Sequence, residues 1–130
     1  MTGPVVLDTH ACVWSLGQSV RLSSAAREAI LDAEAWSVSS VSIFEIANKV
    51  HLGKWPEMAG ALPQLIPTAR SVGMNWIDVT PEIADLGGRL DWSHRDPFDR
   101  LIAATALVNG WVLISADTAF DTLTGLRRIW

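Results

Sequence analysis

Four acidic residues, Asp8, Glu45, Asp99 and Asp117, lie beside apolar runs rather than within charged stretches. Asp8 closes the run Pro4-Val-Val-Leu, and Asp117 comes two residues after the run Trp111 to Ser115. Glu45 is flanked by Phe44 and Ile46, and Asp99 follows Phe98. Carboxylates gathered at apolar surfaces are costly to desolvate and repel one another unless a cation sits among them. An oxygen-only donor set favours Mg²⁺, with Mn²⁺ as a substitute, over zinc. Such an ion can lower the pKa of a bound water and neutralise negative charge that develops on a reacting group. Each acid alone has an ordinary explanation: Asp8 and Asp117 as helix caps, Glu45 as the i,i+4 partner of Lys49, and Asp99 as a favourable charge at a helix N-terminus. The four together are harder to explain that way.

The flanking patterns predict the elements that position these acids. Pro4 to Asp8 is a short continuous apolar run, as in a parallel strand buried on both faces. Thr9 caps a segment up to Gly17, and Ser23 caps a helix from Ser24 to about Ala35. Trp36 to Ser40 reads as a strand, and Ser40 caps a helix that carries Glu45 and stops at Gly53. A weaker helix runs from Pro56 toward Arg70 despite Pro63 and Pro67, followed by a strand from Met74 to Val79. Thr80-Pro81-Glu82 starts a helix that Gly87-Gly88 ends, and Asp96-Pro97 starts another from Phe98 to Asn109, closed by Gly110. Trp111 to Ser115 is a buried strand, Thr118 to Leu123 a short helix and Arg128 to Trp130 a last strand. This alternation predicts an α/β fold: a three-layer αβα sandwich around a central, mainly parallel sheet. In such sheets the ligand crevice lies outside the carboxyl ends of the strands, so Asp8 and Asp117 should share one edge.

Composition bounds the rest. The 130 residues are 49% hydrophobic and 18% charged, which suits one domain over residues 1–130 with a full core and excludes disorder. A single cysteine, Cys12, and three histidines exclude an internal disulfide and a Cys/His zinc site, and suit a reducing cytoplasm. The N-terminal stretch has no basic region of a leader, and no apolar stretch reaches the ~20 residues that span a bilayer, so a soluble protein without a membrane partner is expected. A net charge of -4 and a pI of about 5.2 exclude a purely electrostatic nucleic-acid binder. The excess of 14 acids over 10 bases equals the charge of one four-carboxylate site.

The segments VVLDTHACVW, SSVSIFEIANKV, RDPFDRLIAATAL and WVLISADTAF resemble, in order and spacing, the four acidic motifs of PIN-domain ribonucleases, and most of all the VapC-type toxins of bacterial toxin–antitoxin pairs. The resemblance covers essentially the whole chain. It implies a PIN-like fold and a Mg²⁺-dependent endoribonuclease whose catalytic and metal-binding residues are Asp8, Glu45, Asp99 and Asp117. Ser115 matches a small hydroxyl residue that supports such sites, and Thr9 is a further support. Asp96 is an additional acid whose favoured reading is the cap of the helix opened by Pro97. The resemblance also implies an RNA substrate, a homodimer and a small antitoxin that lays a helix or tail over the grooves near the site. Apolar residues near turns, such as Trp55 and Met58, are candidates for these interfaces.

Candidates to grip RNA are Lys49, Arg95, Arg100, Arg127 and Arg128, while Trp14, Trp55 and Trp92 could stack on unpaired bases. His10 and His94 lie near the motifs as structural or substrate-orienting groups. Two other acidic α/β folds fit poorly. A haloacid-dehalogenase-like phosphatase would have a second acid where this chain has His10, and a response-regulator receiver expects a late Lys where Ala116 and Asp117 stand. The non-enzymatic alternative is an acidic protein-binding module without turnover.

Overall fold

The computed structural model describes residues 3–130; Met1 and Thr2, part of the stretch read above for a leader, lie outside them. Five parallel strands form the centre: β1 (Val5–Leu7), β2 (Trp36–Ser39), β3 (Asn75–Ile77), β4 (Val112–Ile114) and β5 (Arg128–Ile129), in the order β3-β2-β1-β4-β5. The chain builds outward from β1 to β3 on one side, then returns to lay β4 against the other side of β1. The strand order therefore reverses between β1 and β4, at the carboxyl ends that Asp8 and Ser115 follow.

Six helices cover both faces: α1 (Thr9–Leu16), α2 (Ser24–Asp32), α3 (Ser40–His51), α4 (Leu62–Ser71), α5 (Pro81–Arg89) and α6 (Pro97–Asn109). Two short 3-10 turns, Pro56–Met58 and Thr118–Thr122, complete them. The period of two along β1 divides its side chains between two cores. Val5 and Leu7 pack with Ala11, Cys12, Ala26, Val38 and Ala69 on one face. Val6 packs with Ile102, Ala103, Ala106, Leu113 and Phe120 on the other. A third cluster of Ile46, Met58 and Leu65 joins α3 to α4, so Met58, expected at a surface, is core. Among the described residues, no helix is long and apolar enough to cross a membrane.

The elements follow the sequence with local corrections. Asp8, not Thr9, caps α1 by accepting from the Ala11 N–H at 2.9 Å, which leaves Thr9 inside the helix. Ser39, not Ser40, caps α3, and α2 ends at Asp32 rather than near Ala35. Pro63 sits in the first turn of α4, where its missing N–H costs nothing, while Pro67 lies inside the helix on its exposed side and donates no bond to the Pro63 carbonyl. Gly110 closes α6 at a φ of 69°, the left-handed conformation that glycine adopts without penalty.

Gly87 and Gly88 do not stop α5; they lie within it. Gly87 is buried where α5 meets α6, and a Cβ there would sit 3.2 Å from Leu101 Cδ2 and 3.4 Å from the Arg100 carbonyl oxygen. The glycine is a packing requirement, not a helix terminator. A Cβ on Gly88 would meet nothing within 4 Å. Gly88→Ala is therefore expected to stabilise the protein by about 0.5–1 kcal/mol through helix propensity. Gly87→Val should cost about 1–3 kcal/mol through overpacking. Thermal melts of the two variants check the opposite signs.

Candidate active site at the carboxyl ends of the strands

Asp8 occupies the junction of β1 and α1 and is only 8% exposed. Its backbone N–H donates to the Ile114 carbonyl, continuing the ladder to β4. Its Oδ1 accepts from the Ala11 N–H, and its Oδ2 accepts from the fully buried Ser115 hydroxyl at 2.5 Å. Ser115 Oγ in turn accepts from the Asp117 N–H at 3.0 Å, so one hydroxyl ties the β1 acid to the loop carrying the β4 acid. Burial raises the Asp8 pKa above the ordinary 3.8; the Ser115 and Ala11 hydrogen bonds and His10 oppose the rise, and Glu45 adds to it. Asp117 is exposed, and its Oδ1 caps the following 3-10 turn through the Ala119 N–H.

Glu45 enters from the middle of α3 and is 6% exposed. Its Oε1 accepts from the Thr9 hydroxyl at 2.7 Å, and Thr9 Oγ1 shares a second hydrogen bond with Ser42 Oγ at 2.9 Å. Its Oε2 meets Lys49 Nζ at 2.7 Å, the i,i+4 pairing open to it from sequence. Asp99 enters from the first turn of α6, with His94 Nε2 2.7 Å from its Oδ2. Burial raises its pKa from 3.8 to about 6; His94 opposes the rise, while Asp96 and Glu45 reinforce it. Asp96 is the α6 cap, its Oδ1 accepting from the Phe98 and Asp99 N–H groups.

Glu45 is thus the hub of the cluster, close enough to raise the pKa of both Asp8 and Asp99. All of these donors are carboxylate oxygens, burial outweighs the groups that favour their charge at Asp8 and Asp99, and that chemistry fits a hard divalent cation. Among the described residues, however, no three His, Cys, Asp or Glu side chains converge closely enough to hold an ion in this arrangement. Lys49 and His94 draw Glu45 and Asp99 to themselves, and Asp117 turns to its own cap. Cys12 offers no alternative nucleophile: burial, with Asp8 nearby, pushes its thiol up to about 12.

Several of the proposed RNA contacts have other duties. Arg100 donates to the carbonyls of Gly87, Leu90, Trp92 and His94, stapling the irregular segment after α5 and holding His94 beside Asp99. Arg128 pairs with Asp121 and donates to the Ser115 carbonyl. Trp92 is buried and donates to Thr122 Oγ1. Arg127 precedes β5 and lies among Gly110, Trp111 and Val112, at the opposite edge from the acids. Arg95 remains exposed beside the start of α6. Two residues that sequence reasoning missed join the site. Ser42 bonds to Thr9, a partner 33 positions away, and Arg21 lines the hollow beside Asp8 and Asp117 from a loop without a motif.

The chain belongs to the PIN-domain family, whose model matches residues 5–126. It is 37% identical over 120 residues to Ribonuclease VapC22 of Mycobacterium tuberculosis, covering 87% of this chain and 86% of that protein. In fold it is similar to the DNA-bound VapBC of Salmonella typhimurium, at a TM-score of 0.69 and 19% identity over 98% of this chain and 97% of that one. It is also similar to VapBC-5, of the VapBC toxin–antitoxin family, from Mycobacterium tuberculosis, with a TM-score of 0.61, 22% identity and coverage of 95% and 93%.

Because the folded Asp99 pKa, about 6, lies above its ordinary 3.8, this group takes up a proton on folding between those values. Its contribution to stability is then greatest below 3.8 and is lost as pH rises through about 6. In EDTA, Asp99→Asn should gain in denaturation midpoint relative to the unsubstituted protein as pH rises from 5 to 7.5. A difference that stays flat across that range would contradict the raised value.

Proposed function

We propose that this protein is a Mg²⁺-dependent endoribonuclease acting as the toxin of a toxin–antitoxin pair. The observation that carries the reading is that Glu45 lies near enough to both Asp8 and Asp99 to raise their pKa values, with Asp8 at the point where strand order reverses and Asp117 tethered to it through Ser115. The 37% identity to a protein named a ribonuclease supports it. Asp8, Glu45, Asp99 and Asp117 would hold the ion, and Mn²⁺ could replace Mg²⁺. When bound, the ion supplies Lewis-acid polarisation of the phosphodiester and a water of lowered pKa.

The chain's own residues do the positioning. Ser115 and the Ala11 N–H fix the orientation of the Asp8 carboxylate, and Thr9 and Ser42 fix Glu45. Lys49 stands in as the counter-charge of Glu45 and must release it for a full ligand set to form. His94, held by the Arg100 staple, orients Asp99.

Single-stranded or looped RNA is the favoured substrate over duplex DNA. At a net charge of -4 the protein gains little from counterion release along a duplex, and an unpaired loop enters a small crevice without unstacking. A small antitoxin partner and a homodimer complete the reading, with a cytoplasmic setting. The VapBC assemblies of similar fold support the antitoxin, and exposed apolar residues such as Val20, Leu31 and Phe44 support interfaces.

One observation favours a second reading, an acidic protein-binding module without turnover: Lys49 and His94 already partner two of the carboxylates. Incubation with structured RNAs, with and without Mg²⁺, separates the two. The ribonuclease cleaves only with the ion; its Tm rises in millimolar Mg²⁺ or Mn²⁺, since a ligand bound only to the native state stabilises it. Asp8→Asn and Asp99→Asn are expected to remain folded and lose at least about 100-fold in cleavage rate, the scale of losing one preorganised electrostatic group. Wild-type rates in either variant would remove that residue from the ligand set.

A further inference from the structure

Beside the carboxylates lies an open hollow of about 300 Å³, lined by Asp8, His10, Trp14, Arg21, Ala116 and Asp117. One wall is anionic and belongs to the site already described. The other is aromatic. His10 and Trp14, one helical turn apart on α1, bring their rings to 5.5 Å between centroids. His10 also stacks on Trp55 at 5.0 Å and 30° between planes. Behind this group Trp14 packs on Trp130 at 5.6 Å, and Lys49 Nζ stands 5.7 Å from the Trp55 ring centroid.

Trp14 and Trp55 pack partly against the core clusters on either side of α1, whereas Trp92 lies fully within the core with its N–H satisfied by Thr122. His10 is exposed and Trp14 half-buried, and both line the hollow, while half-buried Trp55 joins them through its stack on His10. The contacts with Trp130 and Lys49 hold the tryptophans in place, which reduces the entropy lost when a flat ligand docks.

We propose that His10, Trp14 and Trp55 form a stacking platform for one unpaired nucleobase of the substrate strand, with Arg21 meeting a neighbouring phosphate. The inference rests on the ribonuclease reading and adds to it the feature that holds the strand. Stacking suits an acidic protein, because it draws affinity from base faces rather than from phosphates and tolerates any base. The shared hollow sets the register: a base on the platform places the adjoining backbone against Asp8 and Asp117. Arg21, exposed and lining the same hollow, contributes a single phosphate contact without requiring a basic stripe.

The test uses a short single-stranded RNA carrying 2-aminopurine, whose fluorescence falls on stacking, in Mg²⁺ with the protein in an Asp99→Asn background to suppress cleavage. Binding should quench the probe. His10→Ala and Trp55→Ala should each weaken binding by about 5- to 100-fold and lose the quench, while Trp55→Phe retains both. Arg21→Gln should lower affinity and reduce the salt slope by about one without altering the quench. Melting curves control for folding, and exposed His10 carries the test if Trp55→Ala is unstable. Unchanged affinity and quench in His10→Ala and Trp55→Ala, with RNA cleavage intact in the protein with Asp99, would overturn the platform alone. No cleavage of any RNA together with no binding would overturn the ribonuclease reading and the platform with it.

Discussion

Burying the Asp8 carboxyl between β1 and β4 creates a desolvation cost that the neighbouring residues are arranged to offset. An isolated carboxylate in that position would simply protonate, and burial does push its pKa upward. Opposing that push are the Ser115 hydroxyl, the Ala11 N–H and His10. Hydrogen bonds to a charged group contribute about 1.5–3 kcal/mol each, so two of them offset part of the desolvation cost and hold the carboxylate's geometry. The arrangement depends on strand order. Only because β4 lies directly against β1 does Ser115 come within reach of Asp8, 107 positions away in sequence.

The same constraint explains why Thr9 is buried at all. As the first residue of α1, with Asp8 rather than itself as the cap, it directs its hydroxyl away from the helix end toward Glu45 on α3. Glu45 then has one oxygen satisfied internally and the other on Lys49, which reaches it from a half-exposed position. A buried carboxylate whose second oxygen relies on a half-exposed ammonium is held without being sealed. Asp99 is similar: burial and its acidic neighbours work against its charge, and a single partially buried His94 works for it.

What the sequence revealed and what it hid divide along physical lines. Asp8 and Asp117 were legible because a buried parallel strand reads as a short apolar run and its carboxyl end is fixed by the next polar residue. Asp96 and Gly110 were legible because capping is local. The partners of Glu45 were only half visible: Lys49 lies one turn away, while Thr9 and Ser42 meet only after β1 and β2 pair. Arg100 reads as a surface cation, yet its guanidinium is consumed by four backbone carbonyls of an irregular segment that no periodicity marks. Gly87-Gly88 reads as a helix stop, because sequence shows the propensity cost of glycine but not the close approach of α6 that makes it necessary.

These particulars meet in α1, a helix of eight residues that assigns a different task to each of its sides. Its cap is the buried acid, its first residue braces the acid of α3, and Cys12 anchors it in the core as a neutral thiol against Met74. The remaining side, His10 and Trp14, faces the hollow that Asp8 also lines. Because a helix is rigid over two turns, the separation between the carboxylate and the rings is set by covalent geometry and backbone hydrogen bonds rather than by loop conformation. A strand bound on that side would meet charge and aromatic surface in fixed register, and the acidic character of the whole chain would matter less than the order of the residues in DTHACVW.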